Sequence, residues 1–426
     1  MSDKERLLVE GNGPLKGTVS ASGAKNAVLP ILAATILGTE PVTLKNVPNL
    51  QDVIVLSKIL EDLGAIVTAS GSTLVIDPRG IDKTRANHDL VIQMRASILV
   101  LGPILAKFGE AEVSLPGGCP IGTRPVDQHL LGMEALGAEI KIEHGYVHAT
   151  AKSADKRLKG VHHAFDVVTV TGVENVLMAA VLADGETILD NCAKEPEVDD
   201  LANMLNMLGA KIEGIGTSRL TITGVEKLHG GEYSVMPDRI EIGTYMVAAA
   251  MTFGDVTIVD CIPEHLEAVS YALRQAGVNV DVTDNTIRVY KGEPVLKALR
   301  LKTAPYPLLA TDMQAQFMAM AAISEGTSSI TETIFENRFM HANELARMGA
   351  DIKVDNRLAL VDGVAKLSGA SVTATDLRAS AALILAGLVA DGTTTIGALH
   401  HLDRGYENIE EKLTNLGAKI RRVTID

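Results

Sequence analysis

Residues 116–125 read PGGCPIGTRP, a stretch in which Cys119 stands among three glycines and three prolines, with Arg124 five positions on. Free cysteine is among the most buried residue types, so a thiol on so irregular a segment points to reactivity rather than packing. Cys192 and Cys261 instead open the loops NCAKEPEVDD and DCIPEHLE and read as packing residues. The three lie far apart without CxxC spacing, which offers neither a zinc site nor a disulfide framework, and all three are expected to be reduced.

A second set of reactive types recurs at the starts of apolar segments: GAKNAV, QMRASI, TGVENV, PDRIEI, ATDMQA and ATDLRA. If these open helices, their unpaired N–H groups and dipoles favour anions. Lys25, Arg95, Arg239 and Arg378 oppose that dipole, a cost that an anionic ligand or a carboxylate partner would offset. Asp312 and Asp376 stand in corresponding ATD triplets and can be either ordinary helix caps or catalytic acids. The pairs His162-His163 and His400-His401 lack metal-ligand spacing, EPEVDD reads as an acidic helix start, and no Walker loop, GxGxxG, HExxH or GxSxG occurs.

What positions these groups is a repeat. LGAIV, LGAEI, LGAKI, AGVNV, MGADI and LGAKI place glycines at 64, 137, 209, 277, 349 and 417, with separations of 73, 72, 68, 72 and 68 residues. That period is too long for a solenoid and fits a small αβ module. Each unit runs from an Ala-rich apolar segment through a short alternating strand, a polar loop and an amphipathic segment ending at the glycine, then into more strand. Gly209 falls where a helix would close in a left-handed residue. Segments apolar on nearly all sides, such as NVLMAAVLA and YMVAAAMTF, should be buried inside a domain. Three units before about residue 236 and three after it predict two similar α/β domains with buried inner helices, enclosing sheets and outer helices, and an interdomain cleft.

The totals agree. At 426 residues two domains are expected. Without Trp, and with six Phe and seven Tyr, stacking platforms are scarce, so a carbohydrate ligand would be held mainly by hydrogen bonds. A net charge of −14 disfavours nucleic acid and anionic membrane surfaces, so an anion site must be a local basic island. The N-terminus has no apolar signal core, and the run AALILAGLVA is too short to span a bilayer; a cytoplasmic protein without membrane insertion is expected.

Taken together, SGAKNAVLP, PGGCPIGTRPVD, PDRIEIGTYMVAAA, TDMQAQ, TIFENRFMH, TDLRAS and HLDRGYE resemble the UDP-N-acetylglucosamine 1-carboxyvinyltransferase family over essentially the whole chain. The resemblance implies two inside-out α/β barrels of three repeats each, residues 23–236 forming one and residues 1–22 plus 237–426 the other. It implies transfer of the enolpyruvyl group of phosphoenolpyruvate to the 3′-hydroxyl of UDP-N-acetylglucosamine with release of phosphate, the first committed step of peptidoglycan synthesis, and hence a role in cell shape and division. Neither a metal nor an organic cofactor is implied.

By the same resemblance Cys119 matches the proton donor and covalent-adduct residue, and the target of the epoxide antibiotic fosfomycin. Arg124 would depress its pKa. Asp312 matches the base or orienting carboxylate for the sugar hydroxyl. Lys25, Arg124 and Arg404 match a cationic cradle for phosphoenolpyruvate, with Asn26 beside it and Asp376 near the reacting carbon. Arg95, the stretch Arg124, Pro125, Val126, Asp127 and Gln128, then Thr169, Val170 and Ile334, match positions holding uridine, diphosphate and sugar, with Arg338 and Arg378 nearby. One position departs: some relatives carry lysine where FDVVTVTG has Val167, which puts one diphosphate contact in question. Two alternatives share parts of this pattern, a 3-phosphoshikimate 1-carboxyvinyltransferase and a non-catalytic nucleotide-sugar-binding paralogue. GAKN and the cysteine loop favour the nucleotide-sugar enzyme over the first, and retention of Cys119, Asp312 and the cradle cations favours it over the second.

Overall fold

The structure, a computed structural model, describes residues 4–117, 121–122 and 125–424. These form two compact units: 4–22, 121–122 and 237–424 make one, and 23–117 with 125–236 the other. Each unit holds three small sheets around buried inner helices.

In the first unit the strand Glu5–Glu10 lies between Thr393–Gly397 and Lys419–Thr424, antiparallel to both, so the start of the chain closes a sheet built from its end. Lys16–Ser20 pairs in parallel with Asp255–Val259, and Arg300–Lys302 in parallel with Thr327–Thr331. The second unit repeats the plan with Val42–Lys45 beside Gly231–Ser234, and Glu186–Asp190 beside His162–Ala164. Its third sheet, Glu110–Ser114, Tyr146–Ala151 and Ala138–Glu143, has three strands, and the parallel neighbour shrinks to a single bridge between Arg85 and Glu112.

The inner helices confirm what all-round apolarity implies. Every residue of Arg239–Met251 is buried, and in Lys25–Ala34 only Asn26 is not. In the first unit Arg239–Met251, Gln314–Ala321 and Leu377–Val389 pack against one another; in the second, Lys25–Ala34 and Leu101–Phe108 both pack on Val170–Ala180. The last contact is close enough to require glycine: a Cβ on Gly102 would lie 2.3 Å from the Asn175 carbonyl oxygen. Two helix starts differ from the sequence expectation. The segments opened by QMRASI and ATDMQA begin as 3-10 turns, Arg95–Val100 and Thr311–Met313, before the α-helices take over at Leu101 and Gln314. Pro103, lacking an N–H, falls in the first turn of the helix that starts at Leu101, where no intrahelical bond is lost.

All six phrase glycines adopt left-handed backbone, with φ from 90° at Gly277 to 117° at Gly64, each just after an outer helix. Such residues let the last carbonyls of the helix find donors while the chain turns into its next strand. A second left-handed series, Asn46, Asn191, Asp260 and Ala398, follows the strands that lead into the polar loops.

Candidate active site

Asp312 sits in the 3-10 turn Thr311–Met313. Its Oδ1 is 2.7 Å from Arg338 Nη2 and its Oδ2 is 2.8 Å from Arg378 Nη2. Arg378, the second residue of the Leu377–Val389 helix, is 2% exposed, and Arg338 is also buried. Two guanidinium groups thus enclose one carboxylate. Burial alone would push the Asp312 carboxyl up, but Arg378 and Arg338 together hold it well below the usual carboxylate range. The cost of a cation at a helix start is offset here by a carboxylate partner. Arg378 also lies over the Tyr406 ring at 5.5 Å and Arg338 over Phe335 at 5.2 Å. Nε and Nη1 of Arg378 have no hydrogen-bond partner among the described residues.

The two ATD aspartates therefore part company. Asp376 is a cap, its Oδ1 accepting from Arg378 N at 2.8 Å and Ala379 N at 3.0 Å. Asp312 instead sits in the tighter turn that precedes its helix, with its carboxylate held by the Arg338 and Arg378 side chains. His341, fully buried, has no hydrogen-bond partner on either ring nitrogen among the described residues; burial pushes its pKa down to about 4, with Asp376 favouring and Arg338 opposing the charged form. It is neutral at pH 7. Ile334 lies four residues before Arg338, and Arg404 ends the turn Leu399–Arg404, next to Asp403, which Arg422 holds through both oxygens at 2.6 and 3.1 Å.

In the other unit, Lys25 opens its helix with Nζ 2.9 Å from Asp52 Oδ2. Both are buried, so this cation too has a carboxylate partner. Asn26 and Arg95, which opens the 3-10 segment, are half-buried. Gln128 is buried between two candidate segments: its Oε1 accepts from Asp166 N at 3.0 Å, and its Nε2 donates to Asp127 Oδ2 at 3.2 Å. Pro125 and Asp127 are exposed and Val126 is buried beside it. Thr169 caps the Val170–Ala180 helix, its Oγ1 accepting from Gly172 N, and Val167 just before it is 57% exposed.

The structure thus gathers Asp312, Arg338, Arg378 and Asp376 in one unit. In the other it pairs Lys25 with Asp52 and joins Gln128 to the segment that leads into Thr169. Cys119 and Arg124 lie outside the described residues. Cys192 and Cys261 are buried packing residues whose thiols burial pushes up to about 12. Asp52 does not stand out in the sequence, and Tyr406 and His341 lie inconspicuously within HLDRGYE and TIFENRFMH. An isolated acid, phenol or imidazole carries no signal until its partner is known. Among the described residues no cluster of His, Cys, Asp or Glu could hold a metal ion, and no helix is long and apolar enough to cross a membrane.

Comparison with known proteins agrees with the fold. The enolpyruvyl transferase NikO from Streptomyces tendae superposes with a TM-score of 0.87 at 28% identity over 99% of both chains. EPSP synthase from Acinetobacter baumannii shares the fold, with a TM-score of 0.73 at 18% identity over 99% of this chain and 100% of that one. The model of the family described as EPSP synthase (3-phosphoshikimate 1-carboxyvinyltransferase) matches residues 9–413. With nearly the whole chain accounted for, the protein belongs to the EPSP synthase family of enolpyruvyl transferases.

Proposed function

We propose that the protein transfers the enolpyruvyl group of phosphoenolpyruvate to the 3′-hydroxyl of UDP-N-acetylglucosamine and releases phosphate, acting in the cytoplasm at the entry to cell-wall peptidoglycan synthesis. The observation that carries the reading is Asp312, a carboxylate kept ionised between two buried arginines. An ionised carboxylate can accept the proton of a sugar hydroxyl, and the surrounding cations bind and stabilise a polyanionic substrate pair.

In this mechanism Cys119 delivers a proton to the methylene carbon of phosphoenolpyruvate while the 3′-oxygen bonds to C2 and its proton passes to Asp312. Lys25, Arg124 and Arg404 hold the carboxylate and phosphate, with Asn26 beside them and Asp376 near the methylene carbon. Loss of phosphate from C2, together with a proton from the methyl group, then yields the enol ether. Arg95, Pro125, Val126, Asp127, Gln128, Thr169, Val170 and Ile334 hold the nucleotide sugar, and Arg338 and Arg378 keep Asp312 oriented toward it. The reading requires residues 23–236 and residues 1–22 plus 237–426 to act as two domains on the same substrate pair.

The choice of acceptor rests on Lys25-Asn26 at the first inner helix and on the Cys119 loop. Both favour the nucleotide sugar over 3-phosphoshikimate. Incubation with phosphoenolpyruvate and each acceptor separately tests it: phosphate release with UDP-N-acetylglucosamine is expected. Release with 3-phosphoshikimate alone would overturn the assignment, and binding without turnover would mark a non-catalytic paralogue.

A further inference from the structure

Glu332, just beyond the strand Thr327–Thr331, is 1% exposed and is not one of the substrate-contacting or proton-transferring residues above. Its Oε1 accepts from Thr303 Oγ1 at 2.9 Å, from the Ile334 amide at 2.8 Å and from the Phe335 amide at 3.2 Å. Its Oε2 accepts from Thr311 Oγ1 at 2.8 Å. Thr311 is the residue before Asp312, and its hydroxyl oxygen in turn accepts from Arg338 Nη1 at 2.8 Å, while Nη2 of the same guanidinium holds Asp312. Thr303 adds a second tie to the loop, because its Oγ1 accepts from the Thr333 amide at 3.0 Å and its carbonyl accepts from the Thr333 hydroxyl at 2.6 Å.

We propose that Glu332 is a positioning residue of the active site: one buried carboxylate sets the backbone at Ile334 and, through Thr311, the guanidinium of Arg338 against Asp312. The inference deepens the proposed function, since it gives the Ile334 loop and the Asp312 carboxylate a common anchor. A carboxylate suits the task because all four donors converge on its two oxygens and it has no N–H to misdirect. An amide in its place would present a donor at one end. Either the two loop amides or Thr311 would then lose an acceptor, and in a dry network one wrong polarity spreads to its neighbours.

The test is Glu332→Gln, read in two ways. The first is the titration of the Asp312 carboxyl in the substrate-free protein, followed by carbon-13 NMR against an Asp312→Asn control for assignment. The charged and titratable groups bearing on that titration are Arg338 and Arg378, with His341 interacting with both Arg338 and Asp376, and Asp238 and Tyr406 around Arg378. Loosening Arg338 should move the Asp312 titration upward. The second readout is phosphate release, where kcat should fall about 10- to 100-fold, as small misplacements of reacting groups do, and the acidic limb of its pH profile should rise with the Asp312 titration. An unchanged Asp312 titration, or a loss of turnover no larger than the unfolded fraction, would overturn the proposal. Should Glu332→Gln fail to fold, Thr311→Val cuts the link to Arg338 while sparing the loop amides, and must show the same upward titration, reversed by Thr311→Ser. A shifted titration in a protein that releases no phosphate with UDP-N-acetylglucosamine would refute the acceptor and leave the positioning role standing.

Discussion

Arg378 Nη2 lies 2.8 Å from Asp312 Oδ2, joining two residues 66 positions apart in the sequence that belong to successive repeats. The contact turns two helix starts that look alike into a matched pair, one contributing the cation and the other the anion.

Replacing Asp312 by Asn should separate chemistry from charge balance. Phosphate release is expected to fall by about 10²- to 10⁴-fold, the usual contribution of a positioned acid or base. Leaving two buried arginines without their anion should also cost about 3 kcal/mol in urea denaturation. Since the folded pKa of Asp312 lies below its unfolded value, its stabilisation is present above the unfolded pKa and is lost as pH falls through the folded one. The stability gap between wild type and Asp312→Asn should therefore be constant from pH 6 to 8 and narrow in strong acid.

Lys25→Ala should weaken phosphoenolpyruvate binding by about 10- to 100-fold in calorimetry, the equivalent of one charge-assisted contact. Asp52→Asn should weaken it by a smaller factor, because Asp52 orients Lys25 through the 2.9 Å pair and does not itself carry positive charge.

Thiol chemistry should single out one cysteine. With their thiols pushed up to about 12, Cys192 and Cys261 present almost no thiolate at pH 7.5. Brief treatment of the native protein with fosfomycin or iodoacetamide, followed by peptide mapping, should place the adduct on Cys119. Modification of Cys192 or Cys261 in the folded state would contradict both their burial and the proposed chemistry.

Asp200 gives the other unit a pH response of opposite sign. Burial pushes its carboxyl up to about 6 despite hydrogen bonds from Tyr233 OH at 2.7 Å and Met236 N at 3.2 Å. A raised folded pKa means that this contribution to stability is full below the unfolded value near 3.8 and is lost as pH rises through about 6. Between pH 4 and 7 the contribution amounts to about 2–3 kcal/mol. Asp200→Asn should flatten that slope in urea titrations at pH 5 and pH 7.

Gly102→Ala tests the close helix contact. The new Cβ would meet the Asn175 carbonyl oxygen at 2.3 Å and its Oδ1 at 2.6 Å, and the backbone atom cannot swing away. The amide of Gly102 also donates to Asn175 Oδ1 at 2.8 Å, so separating the helices breaks that bond as well. A loss of about 1–3 kcal/mol or more is expected in denaturant unfolding.

The repeat was legible in the sequence because each copy must solve the same local problem. An outer helix has to stop and reverse into a strand, and a left-handed glycine at 64, 137, 209, 277, 349 and 417 is the inexpensive solution, so it recurs at a countable interval. The inner helices were legible for a similar reason, since a segment apolar on every side, such as Arg239–Met251, can only be interior. Charged residues at helix starts also stood out, because Lys25 and Arg378 violate a local preference.

Which carboxylate answers which cation was decided only by the tertiary structure. Lys25 and Asp52 are 27 positions apart, Arg338 and Asp312 26, and Arg378 and Asp312 66, and no spacing rule for helix or strand connects them. The same holds for Asp312 and Asp376, which share the triplet ATD: the carboxylate of one pairs with two arginines and that of the other caps a helix. Periodicity reports forces that act along the chain within a few residues. Ion pairing depends on distances through space, and those exist only once the helices have packed.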